Sequence, residues 1–414
     1  MKILYAVAPA FLFDNNRHWC NSGSRWSFSM DKPKNNHVFP HYQPFPFKLS
    51  AEIDCMKQTY PSYEIVGLDA CARDMNEKEF IDFMVKEDFD RMVIEVPTST
   101  YPLITRMLHS INQVCDVNIA VFGDIYTIKQ DTDSFYHCGL VSQIHPENIV
   151  FDRTDFPNEQ YSNFEFHRPS AQVLTSFACR NNCGFCTERN ICYKPYFRIM
   201  DYVMDELNSL KDQVKQYHFD DMNIASSEKH VTDLCNRMVK EDVNLPWTCL
   251  TDIKVPEETI KLMNESGCVG ISFGVESFDP LTLALINKNH VSYSNVQAFL
   301  KLLDKYNIHG VATYQIGLPQ TATSIIDTVS KAIDLCREFS NSSLQFSIAT
   351  PFPGTRFHKM CKDHGWLSDR DYTFYDGSRY SVIDYPFLFH SEIEGYHEYA
   401  MKQREESNVG FRRK

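Results

Sequence analysis

Cys179, Cys183 and Cys186 form a Cys-x3-Cys-x2-Cys run within the segment Val173-Leu-Thr-Ser-Phe-Ala-Cys-Arg-Asn-Asn-Cys-Gly-Phe-Cys186. Thiolates are soft ligands that suit iron–sulfur clusters and zinc. Iron–sulfur clusters normally take four protein thiolates, so a close-set trio would hold three irons of a 4Fe–4S cluster and leave the fourth iron open. A zinc site wants four closed ligands; Cys192 is the available fourth, and no second cysteine pair lies nearby. Most of the 14 cysteines read as small buried apolar residues. The trio, following directly on an apolar strand-like run, does not.

Other chemistry-bearing residues fall where strands are expected to end. In Phe219-Asp220-Asp221-Met222-Asn223 two adjacent carboxylates would bind a metal or an ammonium group. They would equally serve as the acidic start of a helix, stabilised by its dipole, and the residues alone leave both readings open. In Gly270-Ile-Ser-Phe-Gly-Val-Glu-Ser277, Gly274 permits close backbone approach and Glu276 offers a carboxylate. Gln315-Ile-Gly-Leu-Pro319 and Ala349-Thr-Pro-Phe-Pro-Gly-Thr355 are Gly/Pro turns that by themselves mean strand-to-helix punctuation.

These groups need a scaffold, and the hydrophobic pattern supplies one. Residues 1–150 alternate apolar runs (Ile3–Ala8, Glu64–Leu68, Arg91–Val96, Asn118–Phe122) with helical stretches (Leu49–Thr59, Glu77–Lys86, Tyr101–Val114). This predicts an α/β fold opening with a doubly wound, Rossmann-like domain, whose ligand would sit beyond the strand carboxyl ends. The aromatic-rich segment 13–47, with Trp19 and Trp26, reads as a lid or substrate loop. Residues 151–170 read as a linker. From 171 to 370 six strand–helix units follow, their strands expected at Val173–Phe177, Gln216–Phe219, Trp247–Leu250, Cys268–Phe273, Val311–Ile316 and Leu344–Ala349. Six units fall short of a closed eight-fold barrel and predict a partial (β/α)6 TIM-type barrel. Residues 371–414 read as a C-terminal packing extension with a frayed end.

The cysteine spacing, with Phe185 just before the last thiol, resembles the radical S-adenosylmethionine (SAM) enzymes. The ordered strand-end motifs, with Leu285-Ile-Asn-Lys-Asn-His290 after Glu276, resemble the subgroup of that superfamily with an N-terminal cobalamin-binding domain. The resemblance spans roughly residues 1–370. It implies that Cys179, Cys183 and Cys186 hold a 4Fe–4S cluster whose open iron binds the amino and carboxylate groups of SAM. It implies that Phe185 packs near the adenine and that Asp220, Asp221 and Glu276 contact SAM, with Gly317 and the Ala349–Pro351 turn shaping the adenosine site. It further implies reductive cleavage of SAM to a 5′-deoxyadenosyl radical, hydrogen abstraction from an unactivated carbon and, with cobalamin, methyl transfer to it. Without cobalamin, rearrangement or cyclisation is the alternative; outside enzymology, an iron–sulfur or cobalamin sensor. Two departures stand out. The Asp-x-His-x-x-Gly signature is absent, so any cobalamin is expected to lack a protein His ligand, and Asp252 stands where many relatives carry Arg.

A net charge of −13 and a pI near 5.6 argue against a general nucleic-acid surface. The apolar start, Met1 to Phe13, superficially resembles a secretory signal, but the strand–helix alternation requires it as a buried strand. No apolar run is long enough to span a bilayer. Scattered cysteines fit a reduced, cytoplasmic setting. A small-molecule substrate and a reductase such as flavodoxin or ferredoxin are the expected partners.

Overall fold

A computed structural model describes residues 1–9, 11–12, 18–19, 45–73, 75–127, 136–137, 148–161, 167, 169–177, 179–187, 195–377 and 380–407. Most of the aromatic-rich segment, Trp26 included, lies outside the described residues, as do Cys192 and residues 408–414. The chain is mixed α/β and is built on two parallel sheets. The first holds strands Lys2–Val7, Glu64–Asp69, Arg91–Glu95, Asn118–Phe122 and Tyr136–His137, in the spatial order second, first, third, fourth, fifth. That is the flavodoxin-like doubly wound order, whose crevice opens between the first and third strands. Helices Phe47–Thr59, Glu77–Glu87 and Tyr101–Val114 cover the sheet. The periodic stripe Ile104, Met107, Leu108 and Ile111 is buried on one side, while Leu49, Ile53 and Phe47 are buried on the other. Strands with both faces covered are apolar throughout, as Leu4, Ala6, Met92, Ile94 and Val121 illustrate.

The second sheet is a Rossmann-like domain's companion of different design, a partial barrel. Six parallel strands, Ser170–Val173, Gln216–Phe219, Trp247–Thr251, Cys268–Glu276, His309–Ile316 and Ser342–Ile348, stand side by side in sequence order. Helices Met200–Leu210, Glu228–Lys240, Glu257–Glu265, Tyr293–Lys305 and Ala322–Glu338 return between them, two of them entered through Ser227 and Ser292 caps. The first barrel strand is displaced from its expected place at Val173–Phe177. It ends at Val173, and Ser176–Phe177 instead pairs antiparallel with Tyr196–Phe197. Among the described residues no helix is long and apolar enough to cross a membrane.

Residues 148–161 run between the sheets, burying Ile149, Phe151, Phe156 and Tyr161 against the first sheet. Their cohesion with the barrel comes from charge. Glu206, on helix Met200–Leu210, accepts from Arg153 at 2.7 Å and from Arg198 at 2.7 Å, all three side chains being nearly or wholly buried. Arg198 also donates to the carbonyls of Ile149 and Leu174, and the Arg153 guanidinium lies over the Phe45 ring at 4.0 Å. The far end of the chain adds a helix the sequence pattern did not announce, His390–Glu406, which packs through Ile393 and Ala400. Tyr372, earlier in the same C-terminal segment, meets Tyr101 of the first domain edge to face.

Removing one partner of such a buried network leaves the others uncompensated. Glu206→Ala should therefore lower stability by about 3–5 kcal/mol, read as a shift in the urea midpoint. A change within error would show that the two arginines find solvent without it.

Candidate functional site

The barrel strands deliver their last residues to one cavity, of about 1300 Å³ with its open mouth included. Cys179, Cys183, Cys186 and Phe185 line it from the loop after the first strand. Met222 and Asn223 come from the second strand's end, Asp252 from the third, Gly274 and Glu276 from the fourth, Gln315 from the fifth and Ser347 and Thr350 from the sixth. The three thiols are in no disulfide and are partly exposed. They ring a shared space: among the described residues no three His, Cys, Asp or Glu side chains converge on one point.

The cysteine loop has no regular structure, so neighbours must fix its backbone. The Gly184 N–H donates to the Ile286 carbonyl at 2.8 Å, and the Gly184 carbonyl accepts from the Phe357 N–H at 2.8 Å. The Asn182 carbonyl accepts from Asn287 at 3.0 Å and Arg356 at 2.8 Å. Asn181, whose N–H points at the Cys179 sulfur, donates its amide to Asp252 at 2.8 Å. His290 meets the same Asp252 oxygen at 2.9 Å. Burial opposes ionisation of Asp252, but the His290 hydrogen bond and nearby Lys288 outweigh it and hold the carboxyl below its ordinary range. Asp252, where the resemblance leads one to look for Arg, is thus an anchor for the cysteine loop.

Glu276 and Lys288 form the electrostatic floor. The Lys288 ammonium donates to Glu276 at 2.9 Å and to the Gly274 carbonyl at 2.7 Å, with both side chains buried. Burial would discharge the lysine, but the Glu276 and Cys183 charges prevail and raise its pKa. Burial likewise pushes the Cys183 thiol up to about 11, against the pull of Lys288. The strand bulges between Gly274 and Glu276, and Glu276 adopts a left-handed φ of 67°, a strained state for a glutamate. Bulges re-aim side chains at strand ends, and this one turns the carboxylate into the cavity. A Cβ on Gly274 would lie 2.2 Å from a Glu276 oxygen and 2.8 Å from the lysine nitrogen. Only glycine leaves room for the pair.

The remaining sequence-predicted residues sit elsewhere. Asp221 faces away from the cavity: its carboxylate accepts from the Thr175 N–H at 3.0 Å, the Thr175 hydroxyl at 2.9 Å and the Ser176 hydroxyl. It holds the chain that leads into the cysteine loop. Asp220 is buried near His218 at 3.8 Å and does not line the cavity. Gly317 is outside it as well; its φ of +91° and the Ile393 side chain, 2.6 Å from where a Cβ would be, explain the glycine. Ala349 and Pro351 alternate with Thr350 and Phe352, and the latter two line the cavity. Sequence spacing alone does not mark Lys288, Asn181 or His290 as site residues: the lysine twelve residues beyond Glu276 is visible there, its burial is not.

A sequence profile of the radical SAM superfamily matches residues 173–332. The chain carries a radical SAM domain. It is 29% identical over 234 residues to an uncharacterized methyltransferase of Pyrococcus horikoshii, covering 54% of this chain and 50% of that protein. It is 23% identical over 279 residues to the bacteriochlorophyllide d C-12(1)-methyltransferase of Chlorobaculum tepidum, 64% of this chain and 59% of the relative. The chain thus spans about half the length of the curated relatives it matches. Its fold is similar to that of TsrM from Kitasatospora setae, a radical SAM methyltransferase solved with cobalamin and a 4Fe–4S cluster, at a TM-score of 0.64 and 14% identity, covering 95% of this chain and 84% of that one. At that identity the likeness is one of fold, and it spans the doubly wound sheet as well as the radical SAM domain.

The Gly274 constraint is testable. Gly274→Ala should displace the Glu276 carboxylate and weaken SAM binding on the order of tenfold or more, while iron content stays at the wild-type level. Loss of iron in parallel would assign the glycine to folding; unchanged SAM affinity would remove Glu276 from the ligand site.

Proposed function

We propose that the chain is a cobalamin-dependent radical SAM methyltransferase acting on an unactivated carbon of a small molecule. The observation that carries this reading is three thiols outside any disulfide lining, beside a buried carboxylate–lysine pair, one cavity at the strand ends of a partial barrel. Cys179, Cys183 and Cys186 would hold a 4Fe–4S cluster through three irons. When bound, the cluster supplies the electron that cleaves SAM, and cobalamin supplies a methyl carrier.

The protein's own part is to bind, orient and shield. Lys288 offsets thiolate charge near Cys183, so the anionic ligand set costs less to bury. Glu276, held by Lys288, presents a carboxylate that suits the SAM ammonium group. The adenosine would lie along the neutral hydroxyl and amide groups Thr313, Gln315, Gln345 and Ser347, which line the cavity. The Gln345 amide oxygen is buried without a hydrogen-bond partner, as an acceptor awaiting a ligand donor is. A reducing, cytoplasmic setting and a reductase follow from the chemistry.

Anaerobic, cluster-reconstituted protein given dithionite should convert SAM to methionine and 5′-deoxyadenosine, and Ala at any one of the three cysteines should abolish it. Full iron and full cleavage in those variants would end the reading. Added cobalamin, reduced to cobalt(II), should show no hyperfine splitting from an axial nitrogen; splitting from a protein imidazole would contradict the His-free coordination. Absence of cobalamin binding would favour a cobalamin-independent radical reaction.

A further inference from the structure

The outer side of the cysteine loop is itself protein surface. Asn182, between Cys179 and Cys183, is exposed, and its carbonyl is gripped from two sides by Asn287 and Arg356. On one side runs the short helix Pro280–Leu285. Its Leu283 and Thr282 turn inward, while Leu281 and Leu285, one helical turn apart, are 76% and 55% exposed. Leu285 and Ile286 lie against Gly184 of the loop. On the other side runs helix Arg356–Asp363, tied to the loop through Phe357 and Gly184.

Exposed cations border this face. Arg180, Arg356, Lys359 and Lys362 are all exposed around the loop, with Asp363, paired to Lys359 at 2.5 Å, beside them. Asp279 is spent on capping Thr282. The chain as a whole carries −13. A cationic rim around two exposed leucines, on an otherwise acidic protein, selects an acidic partner with a small apolar contact. The rim also surrounds the place where the backbone of the thiol loop reaches solvent.

We propose that this face, centred on Leu281, Leu285, Lys359 and Lys362, docks an acidic one-electron carrier protein of the flavodoxin type. The inference rests on the SAM-cleaving reading, which needs one electron per cleavage: the carrier is oxidised by one electron and the C–S bond of SAM is broken reductively. The cationic rim steers the carrier, and the leucines fix its contact.

The test compares two reductants on the full, reconstituted chain. Lys359→Glu/Lys362→Glu and, separately, Leu281→Glu are assayed for 5′-deoxyadenosine formation driven by reduced bacterial flavodoxin or by dithionite. A charge-matched control, Lys229→Glu/Lys240→Glu, changes an exposed helix elsewhere. The expected result is a rise on the order of tenfold in the flavodoxin concentration giving half-maximal rate for both face variants. The salt dependence of that rate should flatten in the lysine double variant. The dithionite-driven rate and the control should match wild type. Unchanged flavodoxin dependence with intact dithionite chemistry overturns the docking face alone. Equal loss with both reductants, or equal loss in the control, also overturns it, since the effect is then on the cluster or on net charge. No SAM cleavage by wild type with either reductant removes the SAM-cleaving reading and this inference together.

Discussion

A lysine ammonium sealed under a loop of thiols is the constraint on which the site depends. Lys288 has no solvent to share its charge with, so its neighbours must neutralise it. Glu276 does so directly, the Gly274 carbonyl accepts a second hydrogen bond from the ammonium, and Cys183 lies within electrostatic reach. Each of these partners in turn has a geometric price. Glu276 reaches the lysine only from a strained, left-handed backbone at a bulge, and the bulge has room only because residue 274 lacks a side chain.

The wider fold serves that arrangement. Parallel strands end in register, so residues far apart in sequence meet at one rim. Strand Trp247–Thr251 brings Asp252 to Asn181 of the cysteine loop, and the turn after helix Pro280–Leu285 brings Asn287 to the Asn182 carbonyl of that loop and His290 to Asp252. The loop is therefore held from both flanks without secondary structure of its own. The Arg153–Glu206–Arg198 network and the Tyr372–Tyr101 contact fasten the first sheet to the barrel. Both attachments use residues outside either sheet.

Much of this was legible from the chain. Strands Gln216–Phe219 and Asn118–Phe122 and helix Tyr101–Val114 fall where the periodicity places them, because apolar alternation there has one solution. The cysteine trio was legible because ligand spacing is local. What the sequence hides is direction and distance. Asp220 and Asp221 look equivalent, yet successive side chains at a strand end point to opposite faces: Asp220 is buried near His218, Asp221 turns to Thr175 and Ser176, and neither lines the cavity. Lys288 reads as one more surface lysine until the fold buries it. Helix His390–Glu406 escaped because its buried face is only Ile393, His397 and Ala400 in a charged run, too sparse a stripe to announce itself. Its packing nonetheless explains Gly317 better than any ligand does.

The central claim is that three cysteines leave one cluster iron open for SAM. Electron–nuclear double resonance on the reduced, reconstituted protein with SAM carrying nitrogen-15 at its amino group tests it most directly. The account predicts a hyperfine coupling between that nitrogen and the cluster. A reduced cluster whose spectrum is indifferent to SAM, with no nitrogen-15 coupling, would contradict it.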